Sequence, residues 1–173
     1  YRRMVEGKTG GLFVLPARGA AQFAGAPPGL ERAVATAAEH LGVLFQIQDD
    51  ILDLYGDKGR DQRGNDLREG KISALVVRFA ERAPQEEVDR LIDLLEAPRE
   101  SVSASDVDWA AERFRESGAL NAAAGDLDTE HRRAVESSGI GTHPELAALV
   151  DGLAELFTAP IGDVLEQTDS ELH

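Results

Sequence analysis

Apolar residues recur every three to four positions along most of the chain, and this period is typical of amphipathic α-helices. It predicts helices over residues 1–24, 30–54, 71–81, 84–96, 106–117, 119–137 and 144–158. Pro16 is expected to kink or break the first helix, and Ser105 to cap the fifth. Residues 26–29 are predicted to form a turn and residues 167–173 a frayed tail. Because no segment alternates in the manner of a β-strand, the pattern predicts an all-α fold within a single domain, residues 1–173.

The predicted helix over residues 30–54 carries an unusual polar stripe. At about 100° per residue, Gln46, Asp49, Asp50 and Asp53 share one narrow face of this otherwise apolar helix. Like charges one turn apart repel each other, so a largely buried stripe of carboxylates needs compensation. A magnesium ion supplies it, since Mg²⁺ binds one or two carboxylates together with substrate phosphates. The alternative is a solvated acidic face.

Composition narrows the possible functions. The net charge is −14, with 32 acidic residues and only three lysines, which argues against nucleic-acid binding. Scarce lysine and strong acidity are typical of cytosolic proteins of salt-loving organisms. A GC-rich genome, which encodes many alanines and arginines, is the alternative explanation for the low lysine content. There is no cysteine, which suits a reducing cytoplasm, and no apolar run approaches the ~18 residues of a membrane helix. The four histidines show no ligand spacing, and the charges of the later helices are interpreted as solvated faces.

Two further motifs flank the carboxylate stripe. Glu6-Gly7-Lys8-Thr9-Gly10 lies upstream, and Asp66-Leu67-Arg68-Glu69-Gly70-Lys71 lies downstream. GKTG, FQxxDDxxD and DLxxGK in this order resemble the trans-isoprenyl diphosphate synthases, a family that includes farnesyl and geranylgeranyl diphosphate synthases. The resemblance extends from Tyr1 to about Phe157.

The resemblance implies roles for individual residues. It implies that Mg²⁺ is bound by the carboxylates of four aspartates: Asp49, Asp50, Asp53 and Asp66. It implies that four residues bind the diphosphate of the substrate and assist its departure: Lys8, Thr9, Gln46 and Lys71. The family has a further loop lysine between the two motifs, where this chain offers Arg60 or Lys58, and Arg60 is the nearer match.

The resemblance also implies an architecture and a reaction. The chain is expected to be the C-terminal part of an antiparallel helical bundle of the isoprenoid-synthase type, without the first aspartate-rich motif of the family. The implied enzyme is a cytoplasmic, homodimeric prenyltransferase that condenses isopentenyl diphosphate with an allylic diphosphate, with a geranylgeranyl-type product favoured. This chain alone is expected to be inactive. Two alternatives stay open: a non-catalytic subunit of a heteromer, and a class I terpene cyclase, whose Asn/Ser/Glu metal triad is not found downstream of Asp53.

Overall fold

The described part of the protein consists of helices. A computed structural model describes residues 1–56, 63–137 and 139–171, and within these ranges there is no β-strand, which confirms the predicted all-α class. The α-helices are α1 (Arg2–Val5), α2 (Gly11–Phe23), α3 (Pro28–Tyr55), α4 (Asn65–Arg68), α5 (Ala74–Ala80), α6 (Gln85–Glu96), α7 (Ala104–Glu116), α8 (Ala119–Val135) and α9 (Pro144–Glu171). A π-helical turn, Glu6–Gly10, joins α1 to α2, and short 3₁₀ turns occur at Arg99–Ser101 and Ile140–Thr142. Among these helices, none is both long and apolar enough to cross a membrane.

Helix α3 is uninterrupted over 28 residues and carries the polar stripe that the sequence predicted. It starts at Pro28, where the missing N–H of proline costs nothing because the first N–H groups of a helix have no partner within it. The turn before it is closed by Gly25, whose φ of 70° suits glycine. The predicted helix over residues 30–54 is therefore confirmed to within two residues at each end.

The residues divide into two compact units. The first contains Tyr1, Asp49–Gly125 and the chain from Pro160 onward. Its core is built on α5, α6 and α7, where the rings of Phe79 and Phe114 lie 5.1 Å apart at 59°. Other buried side chains of this unit include Ile51, Leu75, Leu91, Val107 and Leu120.

The second unit contains Arg2–Gln48 and Asp126–Ala159. Its core uses the apolar side of α3 together with α8 and α9, and is rich in alanine, which allows helices to pack closely. The buried apolar side chains include Val5, Ala33, Ala37, Leu41, Leu44, Ile47, Leu127, Ala134, Ile140, Val150 and Ala154.

Several predicted boundaries were wrong, each for a local reason. Pro16 does not break the first helical segment, because it lies inside α2; the irregular turn is at Glu6–Gly10 instead. The cap of α7 is Ser103 and not Ser105, since Ser103 and Asp106 exchange the two hydrogen bonds of a capping box. Helix α5 begins at Ala74, after the cap Ser73, so the backbone at Lys71 is not helical. The last helix continues past residue 158 to Glu171.

Candidate functional site

Lys8 and Thr9 lie on the π-helical turn at the start of the second unit. Such wide turns are rare inside helices and occur frequently at functional sites. The turn approaches α3 closely at two glycines: a Cβ on Gly42 would lie 3.2 Å from the Cα of Gly10 and 3.4 Å from the ring of Phe13. Only a residue without a side chain at position 42 lets the turn pack against α3 without displacement.

A direct hydrogen bond joins two of the predicted residues. The hydroxyl of Thr9 donates to Oε1 of Gln46 at 2.8 Å, and Thr9 is buried. Lys8, its neighbour, is exposed. The structure therefore brings Thr9 and Gln46 together and leaves the ammonium group of Lys8 accessible to a soluble anion.

A network of charges also reaches this turn, through Glu6, and sequence reasoning missed it. Glu130 of α8 is buried, and its carboxylate accepts hydrogen bonds from Arg2 at 2.6 Å and from Arg133 at 2.7 Å. Nδ1 of His40 lies 2.7 Å from the other oxygen, and Arg2 also pairs with Glu6 on the π-helical turn. Burial opposes ionisation of Glu130, but the hydrogen bonds from His40 and Arg2 outweigh it and lower the pKa to about 2. The sequence signal was a glutamate at a core position of the α8 stripe.

In the first unit, two of the predicted metal-binding carboxylates accept main-chain hydrogen bonds. Oδ2 of Asp50 accepts from the N–H of Ala74 and from the hydroxyl of Tyr1, both at 2.7 Å. Oδ2 of Asp53 accepts from the N–H of Asp66 at 2.9 Å. Both carboxylates are buried, and each satisfies an N–H group in the first turn of a helix, α5 or α4, that has no partner within that helix.

Lys71 and Asp66 also lie together. Nζ of Lys71 is 2.7 Å from Oδ1 of Asp66 and 2.7 Å from Oε2 of Glu69, and Glu69 is in turn paired with Arg99. The hydrogen bonds to Asp66 and Glu69 raise the pKa of Lys71, and the one to Asp66 has the larger effect. The side chain of Lys71 is half exposed, so its ion pairs lie where solvent or an anionic ligand competes for the ammonium group.

The arrangement has the ligand type that Mg²⁺ requires. Within residues 1–56, 63–137 and 139–171, no three acidic or histidine side chains converge into a closed metal site. Mg²⁺ does not need such a cage, because it keeps waters and commonly takes only one or two carboxylates plus substrate phosphates. Asp49 and Asp53, one turn apart on α3, fit that requirement. Arg60 and Lys58, the candidates for the loop cation, lie outside the described residues.

Comparison with known proteins identifies isoprenyl diphosphate synthases among the relatives of this chain. The family model for polyprenyl synthetase matches residues 1–113. A geranylfarnesyl diphosphate synthase from Aeropyrum pernix is 37% identical over 123 residues, which cover 70% of this chain and 37% of that protein. The chain thus spans little more than a third of the length of this curated relative.

Solved structures show the same relationship. A polyprenyl synthase from Roseobacter denitrificans is 26% identical with a TM-score of 0.78, over 92% of this chain and 52% of the other. A polyprenyl synthase from Caulobacter crescentus CB15, solved in complex with calcium and isoprenyl diphosphate, is 26% identical with a TM-score of 0.75. That match covers 91% of this chain and 48% of the other. With its motifs, its helical fold and more than half of its residues matched, this chain belongs to the polyprenyl synthetase family.

Proposed function

We propose that this chain forms part of a prenyltransferase that condenses isopentenyl diphosphate with an allylic diphosphate to give a longer linear isoprenoid diphosphate. The observation that carries the proposal is the Thr9–Gln46 hydrogen bond, which fixes the Lys8–Thr9 turn against the helix of the aspartate stripe. The relatives are named as isoprenyl diphosphate synthases of several product lengths. Among these products, the proposal favours one of the geranylgeranyl type.

The proposed reaction begins with departure of diphosphate from the allylic substrate. The carbon–oxygen bond breaks, both electrons leave with the diphosphate, and an allylic cation remains. The double bond of isopentenyl diphosphate then attacks the cation, and a proton is lost from the new carbon skeleton. The difficult step creates negative charge on a leaving group, so fixed cations and hydrogen-bond donors aimed at that group accelerate it.

In this scheme the residues of the chain have separate tasks. Lys8 is an exposed point charge for a phosphate oxygen, and Thr9 fixes the turn that carries it through its bond to Gln46. Lys71 exchanges its ion pairs with Asp66 and Glu69 for the diphosphate. Asp49 and Asp53 would hold Mg²⁺, which would supply positive charge to stabilise the diphosphate as it leaves.

Calorimetric titration with a non-hydrolysable farnesyl diphosphate analogue, with and without Mg²⁺, tests the proposal. The expected result is binding that requires Mg²⁺ and is lost in Asp49→Asn. Asp93→Asn is the matched control, because it removes the same charge from an exposed position on α6, and it should bind like the unchanged chain.

The proposal fails if the unchanged chain does not bind the analogue, or if Asp49→Asn and Asp93→Asn bind equally well with Mg²⁺. The same samples, given isopentenyl diphosphate and an allylic diphosphate, test turnover separately. We expect this chain alone to bind without appreciable condensation, because it spans only about half of the solved relatives.

A second candidate function is that of a binding subunit in a heteromer. One observation favours it: α2 is mostly apolar, yet none of its residues is buried. A subunit of this kind would bind Mg²⁺–diphosphate and reach turnover only with a second polypeptide. Condensation by the purified chain alone would exclude this candidate. The resemblance implies that the chain assembles as a homodimer. This stays a prediction, which light scattering can test by measuring the molar mass in solution.

A further inference from the structure

Glu130 is a buried, charged side chain to which the proposed reaction gives no task. Its side chain is 4% exposed, and its two carboxylate oxygens accept hydrogen bonds from the two terminal nitrogens of Arg2, at 2.6 and 3.2 Å. Burial opposes ionisation, but the hydrogen bonds from His40 and Arg2 keep the pKa at about 2, so the carboxylate is charged at neutral pH. A guanidinium paired with both oxygens of one carboxylate is fixed in orientation as well as in distance.

Arg2 connects this carboxylate to the π-helical turn. Its Nε donates a hydrogen bond to Oε1 of Glu6, the first residue of the turn, at 2.7 Å. Lys8 and Thr9 follow within the same five-residue turn. All three nitrogens of one planar guanidinium therefore bond either to Glu130 or to the turn, which makes Arg2 a rigid link between α8 and the turn.

The same carboxylate is also attached to α3. Nδ1 of His40, on α3, lies 2.7 Å from Oε2 of Glu130. Further along α3, Gln46 accepts the hydrogen bond of Thr9. The turn is thus attached to α3 directly, and to α8 through Arg2. Because π-helical turns are rare and mostly limited to a single turn, we expect this one to depend on such contacts from outside it.

We propose that Glu130 is a positioning residue of the diphosphate site. Through Arg2 and Glu6 it holds the Lys8–Thr9 turn in the position that binds a diphosphate. Glu130 has no contact with substrate in this scheme, and it affects the ligand by fixing where the ammonium group of Lys8 lies. The identity of the ligand rests on the proposed function, whereas the hold of Glu130 on the turn does not.

Positioning and simple electrostatics predict effects of opposite sign. Glu130 and Glu6 both carry negative charge, so each repels an anionic ligand bound at Lys8. If the two carboxylates acted only through charge, neutralising either one would strengthen the binding of a diphosphate. If they hold the turn, neutralising either one weakens binding, because Lys8 loses its fixed position.

Two glutamine variants break the link, and two more serve as controls. Glu130→Gln and Glu6→Gln remove the carboxylates at the two ends of the Arg2 link. Glu155→Gln removes the same charge from an exposed position on α9 of the same unit. Arg133→Gln removes another hydrogen bond of Glu130, 2.7 Å long and within α8, and leaves the link to the turn intact. Because the side chain of Glu6 is 30% exposed, Glu6→Gln keeps the test valid if Glu130→Gln does not fold.

Hydrogen exchange without Mg²⁺ or diphosphate reports on the turn itself. We expect the amides of Glu6–Gly10 to exchange on the order of tenfold faster in Glu130→Gln and Glu6→Gln, since a charge-assisted hydrogen bond is lost in each. Their exchange should be unchanged in Arg133→Gln and Glu155→Gln. Unchanged exchange of the turn in both link variants would overturn the inference, whether or not the chain binds a diphosphate.

Calorimetric titration with the farnesyl diphosphate analogue and Mg²⁺ gives the sign of the effect on the ligand. The Kd should rise on the order of tenfold in Glu130→Gln and Glu6→Gln, and by less than about twofold in the two controls. The number of sites per chain should stay the same, because partial unfolding lowers that number and not the affinity. Unchanged or tighter binding in the two link variants would overturn the inference.

The double variant Glu6→Gln/Glu130→Gln tests whether the two carboxylates act through one link. Its Kd should be no higher than that of the weaker single variant, because each substitution already breaks the same connection; multiplied effects would overturn the route through Arg2. The two proposals fail in different ways. Absence of binding by the unchanged chain contradicts the proposed function, whereas binding by the unchanged chain that the link variants do not weaken contradicts the role of Glu130.

Discussion

Replacing Glu130 with glutamine removes the charge at the centre of the network around the Lys8–Thr9 turn. The carboxylate is buried and bonded to Arg2, Arg133 and His40, and its pKa is lowered from its usual 4.5 to about 2. Each unit of pKa difference between the folded and unfolded states is worth about 1.4 kcal/mol, so the ionised group contributes about 3 kcal/mol to folding at neutral pH. Breaking a buried ion pair from one side has a cost of about the same size.

The sign of the pH dependence follows from the direction of that shift. A carboxyl group whose pKa is lower in the folded state stabilises the fold at every pH above its unfolded pKa. The contribution declines as the pH falls from about 4.5 towards about 2, where the folded state also takes up the proton. The difference in unfolding free energy between the unchanged chain and Glu130→Gln should therefore be largest near pH 7 and shrink below pH 4.5.

Urea unfolding followed by circular dichroism at pH 7, 4 and 3 measures this difference. Glu155→Gln is the matched control, because Glu155 is an exposed glutamate on α9 in the same unit, and its substitution should change stability by less than about 0.5 kcal/mol. The reasoning is refuted if Glu130→Gln is as stable as Glu155→Gln at pH 7. It is equally refuted if the loss in Glu130→Gln stays constant between pH 7 and pH 3.

Two glycine substitutions test close contacts with controls from the same chain. Gly42→Ala should lower the free energy of unfolding in urea by about 1–3 kcal/mol, because its Cβ would lie 3.2 Å from the Cα of Gly10. The control Gly152→Ala has open space around it and should raise the free energy of unfolding by about 0.5–1 kcal/mol. Equal effects of the two substitutions would contradict the contact. Gly64→Ala should be more destabilising than Gly118→Ala in the same assay, since both have a positive φ but only the former would place a Cβ 2.6 Å from Val107; a smaller loss at position 64 would be inconsistent with this packing.

The long helix and its stripe could be predicted because they depend on local periodicity. Helix α3 is apolar along one side for its whole length, and Gln46, Asp49, Asp50 and Asp53 interrupt that pattern at one-turn spacing. No tertiary information is needed to place them on one face. The fold class follows in the same way, since every long segment of the chain has a helical period.

The π-helical turn and the charge network could not be predicted by those means. A π turn inserts one extra residue into a helix, and the apolar period of residues 1–24 is too irregular to reveal it. Arg2 and Glu130 are 128 residues apart in the chain, so their pairing is a product of tertiary packing. The charges of the later helices were interpreted as solvated, which is wrong for Glu130, although its place on the buried stripe of Leu127 and Ala134 was a visible warning.

The contacts of the aspartates determine how substitutions in the motif should be interpreted. Asp53→Ala would leave the N–H of Asp66 without its acceptor, and loss of this part-buried hydrogen bond costs on the order of 1 kcal/mol, quite apart from any metal. We therefore expect faster hydrogen exchange around α4 in Asp53→Ala, measured without Mg²⁺ or diphosphate, and no change in Asp93→Ala. Unaltered exchange in Asp53→Ala would show that this bond does not hold α4 in place. If exchange does accelerate, loss of diphosphate binding in an Asp53 variant reports the position of α4 as well as metal binding.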